Sequence, residues 1–255
     1  MTRVNTGIVE LDKILNGGFM RGDTAMIAGG AGTGKTTFAL QYLVNGIAEF
    51  GERGLYVTFE QLPDQIYRDA ESFGWDLRKM ENENKLMVMC TSPDVLLEPA
   101  GKDILGRFID QIRPSRVVMD SLSHIAMFVP ERELRREAYR LLMYLKTKRV
   151  TTIATYESSQ TGAMSLSATE TGLSFLVDCV ILLRFVEIES SLRKALVITK
   201  MRGSGHDKRL REFEITSQGI KVAEPFTQYE GILTGAPRRS MAEAFTDAFK
   251  KQRRS

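Results

Sequence analysis

Cysteine, histidine and tryptophan are scarce in this sequence, which contains two, two and one of them among its 255 residues. Cys90 and Cys179 are too few for a disulfide framework, and their apolar neighbours indicate reduced residues of the core. His124 and His206 form no metal-ligand cluster with these cysteines, which argues against a zinc site. The scarcity of these residues therefore argues against a disulfide-stabilised protein and against a zinc protein.

Long apolar runs are also missing. No stretch of about 18 apolar residues occurs, so we expect no transmembrane helix. Residues 1–7 lack the apolar core of a signal peptide. With 43% hydrophobic residues the chain can bury the core of one large domain, although its length allows one or two. These features predict a cytoplasmic globular protein without membrane contact.

The net charge of +3 is unevenly distributed. Residues 237–255 carry a net charge of +4, and the rest of the chain carries −1. The basic side chains of this tail are Arg238, Arg239, Lys250, Lys251, Arg253 and Arg254. A basic tail on a nearly neutral body can bind nucleic acid. A solvated tail is the commoner outcome for such a charge run, and we favour it.

The most specific pattern is a complete G-x-x-x-x-G-K-[ST] motif, formed by Gly29, Gly30, Ala31, Gly32, Thr33, Gly34, Lys35 and Thr36. Residues 24–28 precede it as a buried strand, and residues 37–44 follow it as a helix expected to end before Asn45. Backbone N–H groups of the glycine loop and the helix N-terminus together bind phosphate. Lys35 would reach the β- and γ-phosphates, and the Thr36 hydroxyl would hold Mg²⁺. The motif predicts a nucleoside triphosphate site.

The order of the remaining segments predicts an α/β fold. Apolar strands at 54–59, 85–90, 116–120 and 150–155 alternate with helices, which indicates a mainly parallel sheet flanked by helices. Further strands at 178–186, 193–201, 211–216 and 220–222 follow one another with short turns, which indicates an antiparallel C-terminal extension. Residues 6–18 resemble a short amphipathic helix that ends at glycines.

Two carboxylates end predicted strands. Asp120 closes an apolar strand and is a candidate to hold or orient Mg²⁺, as the usual partner of a phosphate loop. Glu60 also ends a strand, on the edge where parallel sheets bind ligands, and could take a proton from an attacking water. Acidic residues are common at strand ends, so the sequence leaves open whether Glu60 is a base.

Two cations end another strand. Lys200 and Arg202 are two residues apart, so their side chains leave the strand on the same face, and 203–205 follow as Gly-Ser-Gly. A pair of cations suits the charge that develops on a transferring phosphoryl group. The other interpretation is a solvated basic strand end, which we favour from these residues alone.

Taken together, these motifs resemble the KaiC family within the RecA superfamily of ATPases, over roughly residues 4–240. The matching segments are Thr6-Gly7 with Leu11-Asp12, the phosphate loop, 57–60, 72–76, 119–123 and 200–208. The first half is similar to the N-terminal ATPase domain of the clock protein and the second half to its C-terminal domain. The resemblance implies a RecA-like P-loop NTPase core, with one such domain at 1–236 and a basic amphipathic tail at 237–255.

The resemblance also implies how the site works. In that family the nucleotide lies between the subunits of a hexameric ring, so we expect a homo-oligomer in which Lys200 and Arg202 reach the γ-phosphate of the neighbour. This reverses the solvated interpretation of the two cations. Lys194 matches a position that contacts nucleotide across the interface, and Phe73 matches the aromatic residue against the adenine. The expected nucleotide contacts are the phosphate loop with Thr37 and Phe38, then Ser72, Phe73, Lys194, Lys200, Met201, Arg202, Ser204 and His206.

Two departures from the family keep alternatives open. Gln61 stands where a second glutamate is usual, so Glu60 alone can take the proton and turnover could be slow. Ser174-Phe175 stands where the clock protein autophosphorylates a Ser-Thr pair. The leading hypothesis is an ATPase that uses Mg²⁺ and ATP, with Lys35, Glu60, Lys200 and Arg202 as its catalytic residues. The alternatives are a serine autokinase with Ser174 as acceptor, and a non-catalytic switch that binds DNA or a protein partner. A helix at 241–249 could recruit the protein partner, although docking onto its own domain is the commoner outcome for such a helix.

Overall fold

The computed structural model of the chain describes residues 2–158, 172–232 and 238–239. The predicted helix at 241–249 and most of the predicted basic tail lie outside these residues. The helices are α1 Val9–Ile14, α2 Lys35–Phe50, α3 Pro63–Glu71, α4 Leu77–Asn82, α5 Pro93–Leu97, α6 Pro99–Ile112 and α7 Glu131–Thr147. Two 3₁₀ helices cover Leu122–Met127 and Leu173–Phe175.

The strands form one large sheet and two small ribbons. The bounds of β1 to β7 are Arg3–Val4, Phe19–Met20, Thr24–Gly29, Gly54–Thr58, Leu86–Cys90, Arg116–Asp120 and Thr151–Glu157. Those of β8 to β13 are Cys179–Ile188, Ser191–Met201, Arg211–Thr216, Gly219–Pro225, Tyr229–Glu230 and Arg238–Arg239. The large sheet has nine strands in the order β11-β10-β9-β8-β3-β7-β6-β4-β5. The ribbons pair β1 with β2 and β12 with β13.

The direction of the strands confirms the predicted α/β fold. The strands β8, β3, β7, β6, β4 and β5 run parallel. The strands β9, β10 and β11 then continue the same sheet with antiparallel pairing. The turn between β8 and β9 is shorter than predicted, because Glu189 and Ser190 both adopt positive φ and reverse the chain in two residues.

The sheet is buried on both faces. Along β3, Ala25 and Ile27 belong to the core under α1 and α2, whereas Met26 and Ala28 belong to the core under α6 and α7. Successive side chains of a strand point to opposite faces, so a central parallel strand must be apolar at every position. This explains why the strand before the phosphate loop is a continuous apolar run.

Two predictions are wrong in detail. Helix α2 does not end before Asn45 but continues to Phe50, with Val44 and Ile47 buried in the core. Cys90 is exposed, because it ends the edge strand β5, whereas Cys179 is buried as predicted. Both cysteines are free thiols. Within the described ranges, no helix combines the length and the apolar character that a membrane span requires.

The register of the sheet determines which residues meet. At the carboxyl end of the parallel strands, Gly29 lies beside Glu157, and Thr58 lies beside Asp120. Because β9 runs the other way, its last residue, Met201, lies beside Cys179 at the opposite edge. The sheet therefore separates the phosphate loop from the end of β9.

Candidate active site

The phosphate loop joins β3 to α2 with a backbone that favours glycine. Gly32 and Gly34 have φ of +72° and +103°, in the left-handed region that other residues rarely adopt. A Cβ on Gly34 would also lie 2.7 Å from Ile215 Cδ1. Because α2 begins at Lys35, the free N–H groups of its first turn face the loop, which is a suitable site for a phosphate anion.

Lys35 lies among carboxylates at this edge of the sheet. Its ammonium donates a hydrogen bond to Gly30 O at 2.9 Å. Burial lowers the pKa of Lys35, and the nearby carboxylates of Glu157, Asp120 and Glu60 oppose that shift by stabilising the positive charge. The side chain is thus a partly desolvated cation that a phosphate can approach from the loop.

Asp120 is held by three hydroxyl groups. Its Oδ2 accepts hydrogen bonds from Thr36 Oγ1 at 2.8 Å and from the Tyr56 hydroxyl at 2.6 Å, and its Oδ1 accepts one from Thr155 Oγ1. Burial and the adjacent Asp120 carboxylate raise the pKa of Tyr56, so this phenol remains a donor. A carboxylate beside a hydroxyl oxygen is a donor set that Mg²⁺ accepts, since Mg²⁺ is usually held by few protein oxygens plus phosphates. Thr36 and Asp120 therefore fit the ion.

Glu60 follows β4 and projects into solvent near the loop. Its side chain is 71% exposed, and its Oε2 lies 3.3 Å from His124 Nε2. The Thr58 hydroxyl accepts hydrogen bonds from the backbone N–H groups of Glu60 and Gln61, at 3.4 and 3.1 Å. The structure therefore places Glu60 on the same edge as Lys35 and Asp120, with a carboxylate open to water.

Lys200 and Arg202 are not brought to the loop of their own chain. Lys200 Nζ donates to Ser174 O and Val177 O at 2.8 and 2.7 Å. An Arg202 guanidinium nitrogen donates to Phe175 O at 2.9 Å, and another lies 3.6 Å from Asp178 Oδ1. Both cations lie at the edge of the sheet opposite Lys35.

Lys194, in contrast, contacts the phosphate loop within its own chain. Its ammonium donates to Gly32 O at 3.1 Å and lies 4.9 Å from the centre of the Phe185 ring. Lys194 lies near the start of β9, opposite Phe185 in the last part of β8, so its side chain reaches the loop. The expected contact of Lys194 with the nucleotide of a neighbour stays a prediction.

The other predicted contact residues do not all lie at the phosphate loop, because Met201, Ser204 and His206 belong to the end of β9 and the segment after it. Ser72 Oγ donates to Asp69 O at 2.6 Å, and the Phe73 ring stacks on Trp75 with a centroid distance of 4.7 Å. Phe38 is fully buried in the core, so only its backbone could face a nucleotide. Thr37, Met201 and His206 are half-buried. Ser204 Oγ accepts a hydrogen bond from Arg3 at 2.6 Å, which fastens the loop after Arg202 to the N-terminal segment.

The structure adds residues that the sequence did not indicate. Glu157 ends β7 beside Gly29, and the strand-end argument used for Glu60 and Asp120 would have found it. Tyr56 and Thr155 contact Asp120 from neighbouring strands, and His124 contacts Glu60. No local pattern marks these three residues, because their role depends on which strands are neighbours.

Comparison with protein families identifies the family of this chain. The family described as "ATPase: KaiC" matches residues 4–226. The chain belongs to the KaiC family of ATPases. The match covers the phosphate loop, both strand-end carboxylates and the Lys200–Arg202 pair, and the RecA-like architecture agrees with the nine-stranded sheet.

Individual relatives agree with this assignment. The circadian clock protein KaiC3 of Synechocystis is 34% identical over 92% of this chain and 46% of its own length. The circadian clock oscillator protein KaiC of Synechococcus elongatus is 34% identical over 93% of this chain and 45% of its own length. The chain thus spans about half the length of these KaiC proteins.

A solved structure of similar size also matches. The crystal structure of a KaiC-like protein from the hyperthermophilic archaeon Pyrococcus horikoshii OT3 superposes with a TM-score of 0.79 at 35% sequence identity. The superposition covers 88% of this chain and 99% of that chain. The KaiC-like fold is therefore shared over nearly the whole of that protein.

Proposed function

We propose that this chain is an ATPase that hydrolyses ATP with Mg²⁺ at the interfaces of a homo-oligomeric ring, with six subunits. The observation that carries the proposal is the separation of Lys200 and Arg202 from the phosphate loop of their own chain. Through β8, Lys200 is level with Met26, three residues before the end of β3 at Gly29. That is about 10 Å along the strand, and the loop extends further in the other direction. This separation supports action of the pair on the γ-phosphate of a neighbouring copy.

Each residue of the loop edge has a role in this proposal. Lys35 and the N–H groups of the loop bind the phosphates of ATP, with Phe73 against the adenine. Thr36 and Asp120 would hold Mg²⁺, which neutralises phosphate charge when it is bound. Glu60 takes the proton of the attacking water, because its carboxylate is exposed on the same edge. Gln61 can orient that water but cannot accept its proton.

The neighbouring subunit completes the site. Lys200 and Arg202 stabilise the charge that develops on the transferring phosphoryl group. Their donor groups are now satisfied by carbonyls and by Asp178, so both would exchange these contacts for phosphate oxygens. Residues 1–236 would form the ATPase domain, and 237–255 a basic tail. The same arrangement leaves Lys194 at the loop of its own chain, where it also can contact a phosphate.

The experiment that tests this proposal mixes two inactive variants. Lys35→Ala has a defective phosphate loop and an intact Lys200–Arg202 pair. Arg202→Ala has an intact loop and a defective pair. In a mixed ring, some interfaces join the intact loop of one variant to the intact cations of the other. We expect each variant alone to lose ATP hydrolysis and the mixture to regain part of it. Lys13→Ala, on the exposed side of α1, is the surface-charge control and should match the parent.

Other outcomes would contradict the proposal. An Arg202→Ala protein that hydrolyses ATP at the parental rate would remove Arg202 from the reaction. Mixed oligomers without recovered activity would mean that both residues serve one subunit. A Glu60→Gln variant should bind ATP and lose hydrolysis, and parental turnover in that variant would show that another group is the base.

A serine autokinase is the second candidate, and one contact favours it. Ser174 O accepts a hydrogen bond from Lys200, so the predicted acceptor lies beside a cation that would meet the γ-phosphate of the neighbour. In this reaction the γ-phosphoryl group would move to Ser174 Oγ, ADP would leave and the hydroxyl proton would be lost. Incubation with γ-labelled ATP separates the candidates, when free phosphate and protein-bound label are followed together. Bound label that is lost in Ser174→Ala would establish the kinase, and free phosphate alone would exclude it.

A further inference from the structure

A series of polar contacts connects Glu60 to the ends of two other strands. Glu60 Oε2 lies 3.3 Å from His124 Nε2, and His124 Nδ1 lies 3.0 Å from Ser121 Oγ. Ser121 Oγ lies 2.5 Å from Ser123 Oγ, which accepts the backbone N–H of Glu157 at 3.1 Å. The series therefore begins at the end of β7, passes beside the end of β6 and finishes at Glu60, two residues after the end of β4.

One assignment of donors and acceptors satisfies every contact in this series. The Glu157 N–H can only donate, so the Ser123 hydroxyl is free to donate to Ser121 Oγ. In this assignment the Ser121 hydroxyl donates to His124 Nδ1, and Nδ1 is the acceptor of the imidazole. The same assignment puts the proton of a neutral ring on Nε2, the nitrogen that lies 3.3 Å from Glu60 Oε2. Each hydroxyl uses its single proton once.

His124 is itself well anchored, whereas Glu60 is not. The imidazole is 22% exposed and belongs to a 3₁₀ helix whose Leu122 and Ile125 are fully buried. Ser121, its partner at Nδ1, is 5% exposed. The Glu60 side chain is 71% exposed and has three rotatable bonds, so its orientation in water would be broadly distributed. In the described part of the chain, His124 is the group that holds this carboxylate.

We propose that His124 is a positioning residue, whose Nε2–H holds Oε2 of Glu60 so that Oε1 faces the attacking water. The inference rests on the proposed ATPase function, in which Glu60 is the base. A general base works only when it is within hydrogen-bond reach of the proton that it takes. Loss of orientation by about 1 Å can cost on the order of 100-fold in rate, so the effect of His124 should be measurable.

A double-mutant cycle with Glu60 tests the proposal. We expect His124→Ala to lower kcat for ATP hydrolysis by about 10- to 100-fold while KM for ATP and nucleotide affinity stay unchanged. In a Glu60→Gln background the same change should have no further effect, because the group that His124 positions is already gone. A loss in His124→Ala that persists at full size in the Glu60→Gln background would overturn the proposal. So would parental activity of His124→Ala.

Two conservative variants separate positioning from a purely structural role. The amide nitrogen of His124→Gln can replace Nε2 and donate to Glu60, whereas the shorter His124→Asn can replace only the Nδ1 contact with Ser121. We expect Gln to restore most of the rate and Asn to restore little. The opposite order would show that His124 acts through Ser121 on local folding. Urea unfolding of each variant identifies any that fails to fold.

Nitrogen NMR of the imidazoles provides a readout that does not need turnover. The protein has only two histidines. The imidazole signals that remain in His206→Gln therefore belong to His124, and those that disappear belong to His206. We expect the Nε2–H tautomer at His124 in the parent, with a changed Nε2 signal in Glu60→Gln. An Nδ1–H tautomer would overturn the proposed hydrogen-bond chain.

If Glu60→Gln hydrolyses ATP normally, the ATPase assignment of Glu60 fails, and the positioning role fails with it. If Glu60→Gln is inactive and His124→Ala is normal, only the role of His124 fails.

Discussion

Thr36 Oγ1 donates a 2.8 Å hydrogen bond to Asp120 Oδ2, so the first turn of α2 and the end of β6 meet at one carboxylate. The two residues are 84 positions apart in the sequence. They meet because β6 lies two strands from β3 and both strands end at the same edge. The contact joins the phosphate loop to the opposite half of the parallel sheet.

Replacement of this carboxylate should stop hydrolysis without removing the nucleotide. We expect Asp120→Asn to lower phosphate release from ATP by a factor on the order of 10²–10³, because an amide is a poor partner for Mg²⁺. Binding of a fluorescent ATP analogue and phosphate release at varied Mg²⁺ measure the two effects. Tyr56→Phe is the matched control, since it removes one hydroxyl from Asp120 and leaves the carboxylate and Thr36 in place. A Tyr56→Phe protein as inactive as Asp120→Asn would contradict the assignment.

A buried ion pair should dominate the stability of the region under α2. The Arg116 guanidinium is 1% exposed and its Nε lies 2.5 Å from Glu52 Oε2. We expect Glu52→Gln to lower the free energy of unfolding by about 3–5 kcal/mol, because a buried cation would lose its counter-charge. Urea denaturation measures the change. Arg21 also contacts Glu52, at 3.2 Å, but it is 45% exposed, so Arg21→Ala should cost less than about 1 kcal/mol. An equal loss of unfolding free energy in Glu52→Gln and Arg21→Ala would contradict this prediction.

Gly46 should resist replacement by alanine although it lies inside a helix. Alanine is favoured over glycine in a helix interior by about 1 kcal/mol. At Gly46, however, the new methyl group would lie 2.2 Å from Arg116 Nε, and overpacking of this kind costs about 1–3 kcal/mol. We therefore expect Gly46→Ala to lower the free energy of unfolding.

Gly106 is the control for this prediction. In α6, a methyl group there would meet only the hydroxyl end of Tyr144, a half-buried side chain that can move. Gly106→Ala should stay within about 1 kcal/mol of the parent. A stabilised Gly46→Ala protein would mean that Arg116 has room to shift.

Asp23 should make the protein less stable as the pH rises. Burial and the neighbouring Asp178 raise the pKa of this carboxyl from 3.8 to about 6. The folded protein therefore holds the proton more tightly than the unfolded chain, and the stabilisation from protonation is lost as the pH increases from about 4 to about 6. We expect Asp23→Asn, which stays neutral, to have a higher Tm than the parent at pH 7–8 and no advantage at pH 4.

Asp207 provides the opposite case. Hydrogen bonds from Arg209 hold the pKa of Asp207 below its ordinary value of 3.8. Its stabilisation is present above that pH and is lost as the pH falls, so Asp207→Asn should lower Tm at pH 7. Thermal unfolding of both variants between pH 4 and pH 8 measures the difference. At pH 7, a change in Tm of the same sign for Asp23→Asn and Asp207→Asn, relative to the parent, would contradict these assignments.

Much of the loop edge was predictable because its signals are local. The strand, glycine loop and helix around Lys35 are consecutive in the chain, and their geometry follows from short-range backbone requirements. The apolar runs that end at Glu60 and Asp120 predict strand ends for the same reason. Helix α2 exceeded its predicted length, since the glycine that suggests a helix end is needed against Arg116, a residue 70 positions away.

The sequence by itself determined the phosphate loop, the alternation of strands and helices, and the family. Only the tertiary structure decided that Lys200 and Arg202 lie across the sheet from Lys35 and that His124 meets Glu60. The physical reason is that hydrophobic periodicity records whether a segment is a strand and which of its faces are buried, but not its neighbours or its direction. The order of the strands and the reversal of direction at β9 depend on the packing of the whole sheet. Order and direction together determine where Lys200, Arg202 and His124 lie.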